Sequence, residues 1–172
     1  MKELVTSVDI DAPAETVWDV LVDFGSYPEW NPRTRVTGTA AEGERLVVAP
    51  GPGAEGMPTF RPTVLRADGT ELRWLGHLYV RGLFDGEHVF SVEDLGDGRS
   101  RFTQSESFRG LLVRPLVRLY GEDTESGFHA VNAALRARSE SIAAGPASES
   151  RAHRPSVEGD GHSAEACVDT AA

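Results

Sequence analysis

Apolar residues in the N-terminal segment first alternate with polar ones and then recur at helical spacing. The alternation predicts a strand at Glu3–Ile10. A helix then begins near Pro13, where a missing N–H costs nothing, and ends at Gly25. Its apolar stripe contains Val17, Leu21 and Phe24. Such a short amphipathic helix has to pack against a sheet, which the rest of the chain supplies.

Six further strands are predicted from short runs of apolar residues between turn signals. They are Arg35–Thr39, Arg45–Val48, Phe60–Ala67, Glu71–Val80, Glu87–Leu95 and Arg101–Phe108. The tight turns at Asp68-Gly69 and Gly96-Asp97-Gly98 indicate hairpins, hence a mostly antiparallel sheet. The long Gly/Pro segment Pro50–Pro58 is unusual in a compact domain and is interpreted as a loop at the mouth of a site.

The apolar period changes after Gly110 and predicts one long C-terminal helix, from about Pro115 to Ile142. Gly127 within it indicates close packing or a bend. From Gly145 onward the chain has no periodicity and almost no large apolar residue. We therefore expect one domain over residues 1–142 and a disordered polar tail over 143–172.

Charge and cysteine content exclude several classes of partner. The formal net charge of −10 argues against a nucleic acid or an anionic membrane, because both select clustered Lys and Arg. The single Cys167 excludes an internal disulfide and suits a reducing compartment. With no long apolar run and no apolar leader, the sequence predicts a cytoplasmic protein without stable membrane insertion.

Four segments carry a resemblance to a known family. They are IDAPAETVWDVLVDFGSYPEWNP, LRWLGHL, GLFDGEHVFSVEDLGDGRSRFTQSESFRGLL and GFHAVNAALRARSE. In this order they resemble the START-like superfamily (SRPBCC, helix-grip), and within it the polyketide cyclase/dehydrase and lipid-transport group. The resemblance implies an α+β helix-grip fold, with two short helices after the first strand and a curved antiparallel sheet of about six or seven strands around a long C-terminal helix. It also implies a hydrophobic cavity between sheet and helix, but the fold alone does not fix a function.

Strand alternation brings three candidate catalytic residues to one face. His88 shares a face with Phe90, and Gln104 and Glu106 share one with Phe102 and Phe108, so we expect all three polar side chains to point inward. A histidine beside a carboxylate in a dry pocket can act as a general acid or base, with Gln104 orienting a carbonyl. The alternative is a hydrogen-bonded network that holds the two strands in register.

Aromatic residues supply the candidate ligand contacts, although the same residues can equally be ordinary core. The aromatic candidates are Trp30, Phe60, Trp74, Phe84, Phe90, Phe108 and Phe128. Arg61 follows the Gly/Pro loop and could steer an anionic or keto oxygen at its mouth, or could be a solvated strand residue. Asn132 lies amid apolar helix positions and could point into the cavity or lie on the helix flank.

Two functions from different classes follow. The first is binding of a small hydrophobic molecule, lipid or polyketide-like, in the internal cavity. The second is a cofactor-independent polyketide cyclase/dehydratase-like lyase or a hydrolase, using His88 and Glu106 as acid and base. The sequence has no closely spaced His and Cys residues that would indicate a metal site, and it has no nucleotide-binding motif that would indicate a cofactor. We expect a monomer or a homodimer that binds the small molecule. A regulatory protein that acts through another partner is a third, weaker option.

Overall fold

The computed structural model describes residues 2–54, 57–77, 82–83, 85–110 and 113–145 of the 172-residue chain, except the side chains of residues 2 and 114–123. Its helices are α1 (Ala14–Val22), α2 (Tyr27–Trp30) and α3 (Val113–Ala143), with a 3₁₀ turn at Phe24–Ser26. Its strands are β1 (Lys2–Ile10), β2 (Thr34–Thr37), β3 (Val47–Pro50), β4 (Thr63–Ala67), β5 (Glu71–His77), β6 (Asp85–Gly96) and β7 (Arg99–Arg109). This order confirms the expected α+β class.

The strands form two antiparallel sheets. Five of them pair in the order β1-β7-β6-β5-β4, and β2 pairs separately with β3. The structure thus has the expected number of strands, but they form two sheets and not one. Among the described residues, two isolated bridges, Arg45↔Thr63 and Val48↔Phe60, connect the segments around β3 and β4.

Both predicted hairpin turns are present. Gly96, Asp97 and Gly98 all adopt positive φ, at 79°, 55° and 73°, which suits the right-handed twist of the β6–β7 pair. Gly69 adopts φ 94° between β4 and β5. The turns join β4 to β5 and β6 to β7, and β5 also pairs with β6, so the three strands that carry the candidate residues are neighbours.

Several predicted boundaries differ from the observed ones. β4 begins at Thr63 rather than Phe60, since Pro62 has no N–H to donate to a ladder. β3 begins two residues later than predicted, at Val47. α3 begins at Val113, which places Pro115 in its first turn, where a missing N–H is tolerated. The last predicted residues of β5, 78–80, and the predicted tail beyond residue 145 lie outside the described residues.

α3 packs with one side on a single face of the five-stranded sheet, which we call the inner face. The buried positions in its second half are Gly127, Phe128, Asn132, Leu135 and Ser139, and those from Phe128 onward are spaced as one helical face requires. α1 contributes Val17, Val20 and Leu21 to the same core. An ion pair from Arg138 of α3 to Glu29 of α2, at 2.8 Å, ties the helical layer together.

Candidate ligand site on the inner sheet face

Two adjacent rows of side chains cross the inner face and define the candidate site. The Glu106–His88 row consists, in register across the strands, of Leu4, Glu106, His88, Trp74 and Val64. The Gln104–Phe90 row consists of Thr6, Gln104, Phe90, Leu72 and Ala67. Because side chains alternate along a strand, the single residue between these rows on β1, β5, β6 and β7 points to the other face. The register thus brings His88, Gln104 and Glu106 to one face.

The two rows differ in burial. The Gln104–Phe90 row is the more buried one: Gln104 is 1% exposed and Leu72 is fully buried, and α3 lies over the end of the row that contains Thr6 and Gln104. In the Glu106–His88 row, Leu4, Glu106 and His88 are only half-buried, whereas Trp74 and Val64 are buried. The inner face is therefore closely packed at Gln104 and less so one row away.

A chain of hydrogen bonds links the sheet to α3. The Gln104 amide donates to the backbone carbonyl of Phe128 at 3.0 Å and to Asn132 Oδ1 at 2.6 Å. Asn132 Nδ2 in turn donates to Thr6 Oγ1 at 3.2 Å. Both amides are buried, and an unpaired buried amide is costly, so these hydrogen bonds stabilise the contact between α3 and the sheet. Asn132 thus lies over the sheet and not on the helix flank.

The series of hydrogen bonds ends at His88, whose ring lies among aromatic side chains. His88 Nε2 is 3.3 Å from Gln104 Oε1. The imidazole stacks on Phe90 with ring centroids 4.0 Å apart and on Phe128 at 5.0 Å. Trp74 meets it edge-on at 5.7 Å. With its faces against aromatic rings, the imidazole can make polar contacts only along its edge.

Burial keeps His88 neutral. Although its ring retains some accessible surface, the surrounding protein desolvates it and lowers its pKa from 6.5 to about 3; the contact with Gln104 opposes this shift only in part. At neutral pH the imidazole therefore carries one proton and one lone pair.

Glu106 has the opposite response to the same environment. Burial raises the pKa of its carboxyl from 4.5 to about 7, because a charged carboxylate loses its hydration there. No hydrogen bond to Glu106 occurs among the described residues. Its Oε1 lies 3.1 Å from the position that a Cβ on Gly86 would occupy, so the glycine leaves room for the carboxyl group. A carboxyl that exchanges its proton near neutral pH thus stands in register with a neutral histidine.

The other predicted ligand residues are distributed unevenly. Phe108 lies on the inner face one row beyond Glu106 and is half-buried. Trp30 packs edge-on against Tyr27 at 4.8 Å, and its Nε1 is buried without a partner among the described residues. Phe60 sits at the isolated bridge to Val48, outside the five-stranded sheet, and Arg61 is exposed beside it. Phe84 lies outside the described residues.

Sequence analysis missed the contribution of β1 and of Arg33. Thr6 and Leu4 join the two rows because β1 pairs with β7, a contact between the two ends of the domain that strand alternation alone does not reveal. The Arg33 guanidinium lies over Gly127 of α3, where a Cβ would come within 2.7 Å of its Nε, and donates to the Gly53 carbonyl. The Gly/Pro loop is thereby held beside α3, and Gly127 permits the close packing that its presence in a helix indicated.

Within the described part of the chain, no group of three or more His, Cys, Asp or Glu side chains is placed to hold a metal ion. None of the helices there combines the length and apolar character that a membrane span needs.

Comparison with known proteins gives a family and a fold. A family model described as "Polyketide cyclase / dehydrase and lipid transport" matches residues 1–140. No curated protein matches the chain. Among solved structures, the Zhui aromatase/cyclase from Streptomyces sp. R1128 is similar, with a TM-score of 0.65, 17% identity, and coverage of 81% of this chain and 93% of that one.

Two further structures show the same fold. A START superfamily protein from Mycobacterium smegmatis has a TM-score of 0.59 and 20% identity, over 79% of this chain and 98% of that one. The di-domain ARO/CYC BexL from the BE-7585A biosynthetic pathway has a TM-score of 0.62 and 15% identity over 78% of this chain. The chain spans about half of BexL, 46% of its length. At these identities the likeness concerns the fold, and it agrees with the expected START-like architecture.

Proposed function

Because the chain belongs to the polyketide cyclase/dehydrase and lipid-transport family, we propose that it binds a small hydrophobic molecule between the inner sheet face and α3. The guest is a lipid or a polyketide-like compound, and the contact region is the Glu106–His88 row. One observation carries this proposal: Leu4, Glu106 and His88 of the row are only half-buried, and among the described residues Glu106 and one nitrogen of His88 have no hydrogen-bond partner, although the neighbouring residues Thr6, Gln104 and Phe90 are buried.

The chemistry of the row favours an apolar guest with few polar groups. Trp74, Phe90 and Phe128 surround His88, so the polar edge of the imidazole is set in an aromatic environment that suits a flat hydrocarbon. At neutral pH His88 is uncharged and Glu106 is partly so, as the burial of both groups dictates. Ligand pockets commonly combine such an apolar lining with a small number of placed polar groups. The aromatase/cyclase names of two structural neighbours support a polyketide-like guest over a lipid.

Equilibrium binding tests the proposal. The protein is titrated with two probe classes, neutral two- and three-ring aromatic phenols or ketones and long-chain fatty acids, while tryptophan fluorescence and calorimetry are followed. Gly86→Val adds an isopropyl side chain on the inner face beside Glu106 and should weaken binding about tenfold or more, since the added volume competes with the guest. Ser105→Val, on the other face of the neighbouring strand, is the matched control and should leave affinity unchanged.

Two results would contradict the proposal. If neither probe class binds the wild-type protein, ligand binding itself is refuted. If both valine variants bind as well as the wild type, the guest does not lie on the Glu106–His88 row.

The pair Glu106 and His88 favours catalysis as a second candidate function. A carboxyl group with a pKa of about 7 is suited to proton transfer at neutral pH, and His88 has one nitrogen without a protein partner among the described residues. In a dehydration, the Glu106 carboxylate would take the α-proton of a β-hydroxyketone and return it to the departing hydroxyl, giving an enone and water, while His88 orients that hydroxyl by accepting a hydrogen bond from it. This would be cofactor-independent cyclase/dehydratase-like chemistry.

Separate Glu106→Gln and His88→Phe variants test catalysis. Glu106→Gln should lower the turnover of a β-hydroxyketone substrate about a hundredfold or more if the carboxyl group transfers the proton, and His88→Phe should lower it because the substrate hydroxyl loses its acceptor. Glu93→Gln, which removes an exposed carboxylate from the same strand as His88, serves as the control. Unchanged rates in both inner-face variants would exclude these residues from any reaction and leave binding alone.

A further inference from the structure

The direction of the hydrogen-bond chain on the inner face is fixed at a group that can only accept. The backbone carbonyl of Phe128 has no hydrogen to give, so the Gln104 atom 3.0 Å from it must be the amide nitrogen. That nitrogen has two hydrogens, and the second is donated to Asn132 Oδ1. Both donors of Gln104 are thus used, which leaves its Oε1 as the atom that faces His88.

This assignment decides which nitrogen of His88 holds the proton. Gln104 Oε1 is an acceptor, so Nε2 of the neutral imidazole must be the donor across the 3.3 Å contact. A neutral imidazole has a single N–H, and Nδ1 therefore carries a lone pair. The structure gives Nδ1 no partner among the described residues. Because His88 is half-buried and Nδ1 is not among the fully buried atoms that have no partner, a bound molecule or water can reach this lone pair and supply the hydrogen.

We propose that Gln104 is a positioning residue that holds His88 as the Nε2–H tautomer, so that Nδ1 selects ligands with a neutral hydroxyl donor such as a phenol or an enol. This inference deepens the proposed function and rests on it, because it requires a guest at the Glu106–His88 row. A ketone or ether oxygen brings no hydrogen to Nδ1 and leaves it unpaired. A carboxylate or phosphate brings none either, and the described side chains of the row, which include Glu106, offer no cation to balance its charge.

The tautomer can be measured without any ligand. Nitrogen-15 NMR of the histidine ring distinguishes a protonated nitrogen from one with a lone pair. The wild-type protein should show a protonated Nε2 and an unprotonated Nδ1 for His88, and Gln104→Leu should populate both tautomers. Ser105→Ala, which points to the other face, should keep the wild-type pattern. A protonated Nδ1 in the wild type would overturn the inference, and that spectrum decides it even if the Gln104 variant does not fold.

Selectivity for a hydroxyl donor is then measured with a matched pair of probes. 1-Naphthol and 1-methoxynaphthalene share a ring system and an oxygen, but only the naphthol can donate. The wild-type protein should prefer naphthol, and this preference should fall about fivefold or more in His88→Phe, because that variant removes the acceptor and with it one hydrogen bond. Binding of both probes with the same ratio in the two proteins would refute the inference and leave the proposed function intact. If neither probe nor any compound of the wider panel binds, both fail together.

Discussion

Replacing Glu106 with glutamine should make the protein more stable at alkaline pH and not at acidic pH. Glutamine keeps the shape of the side chain but cannot ionise. The carboxyl group lies on the inner face against Gly86, in register with a neutral histidine, with no hydrogen bond to a described residue. Its ionised form is therefore poorly stabilised in the folded protein.

The size of the effect follows from the pKa. Burial raises the pKa of Glu106 from 4.5 to about 7. Each unit corresponds to about 1.4 kcal/mol, so ionisation destabilises the fold by up to about 3 kcal/mol. The folded protein keeps a proton that the unfolded chain has already released, so the wild-type free energy of unfolding falls as pH rises from 4.5 and levels off above 7. Because some solvent reaches the side chain, we expect the free energy of unfolding to fall by about 2 kcal/mol between pH 5 and pH 8.5.

Urea denaturation at these two pH values measures the effect as a difference between variant and wild type. Titration of His88 is common to both proteins and cancels in that difference. Glu93→Gln, an exposed substitution on β6, controls for the loss of one negative charge from the protein. If Glu106→Gln and wild type differ by the same amount at both pH values, Glu106 is solvated in the folded protein, and the inner-face account of its environment is wrong.

Three further substitutions test the packing around the site. Leu135→Ala, at a fully buried position on α3, should lower the free energy of unfolding by about 2–5 kcal/mol. Ile142→Ala, at a position that is 48% exposed, should lower it by less than about 1 kcal/mol, and equal losses would contradict the packing of α3 on the sheet. Gly127→Ala should add about 1 kcal/mol of helix stability in an Arg33→Ala background but not in the wild type, because the guanidinium occupies that space; a gain in both would refute the contact. His88→Phe should flatten the loss of stability that wild type suffers as pH falls from about 6.5 through about 3, since burial lowers the pKa of His88; an unchanged acid limb would show that the ring is solvated.

Local periodicity was enough to predict the shared face of the candidate residues. Alternation in β6 and β7 places His88, Gln104 and Glu106 on one side, and the register of the two strands does so in the structure. The long helix was also predicted to within two residues at its start and one at its end, since its apolar positions recur over many turns. These features depend on the periods of strand and helix, which the sequence records directly.

Features that depend on distant contacts were not predictable in the same way. Thr6 reaches Asn132 only because the first strand pairs with the last and α3 crosses both. The split into two sheets was not predicted either, and β4 begins at Thr63, where a strand beginning at Phe60 was predicted. The tautomer of His88 depends on a backbone carbonyl of α3, so no spacing of residue types could indicate it.

A structure of the protein crystallised with 1-naphthol tests the central claim most directly. The account predicts the naphthol ring between the inner sheet face and α3, against Trp74 and Phe128, with its hydroxyl oxygen at hydrogen-bonding distance from His88 Nδ1 and beside the Glu106 carboxyl. Side chains filling that space, or a naphthol bound elsewhere on the protein, would contradict it.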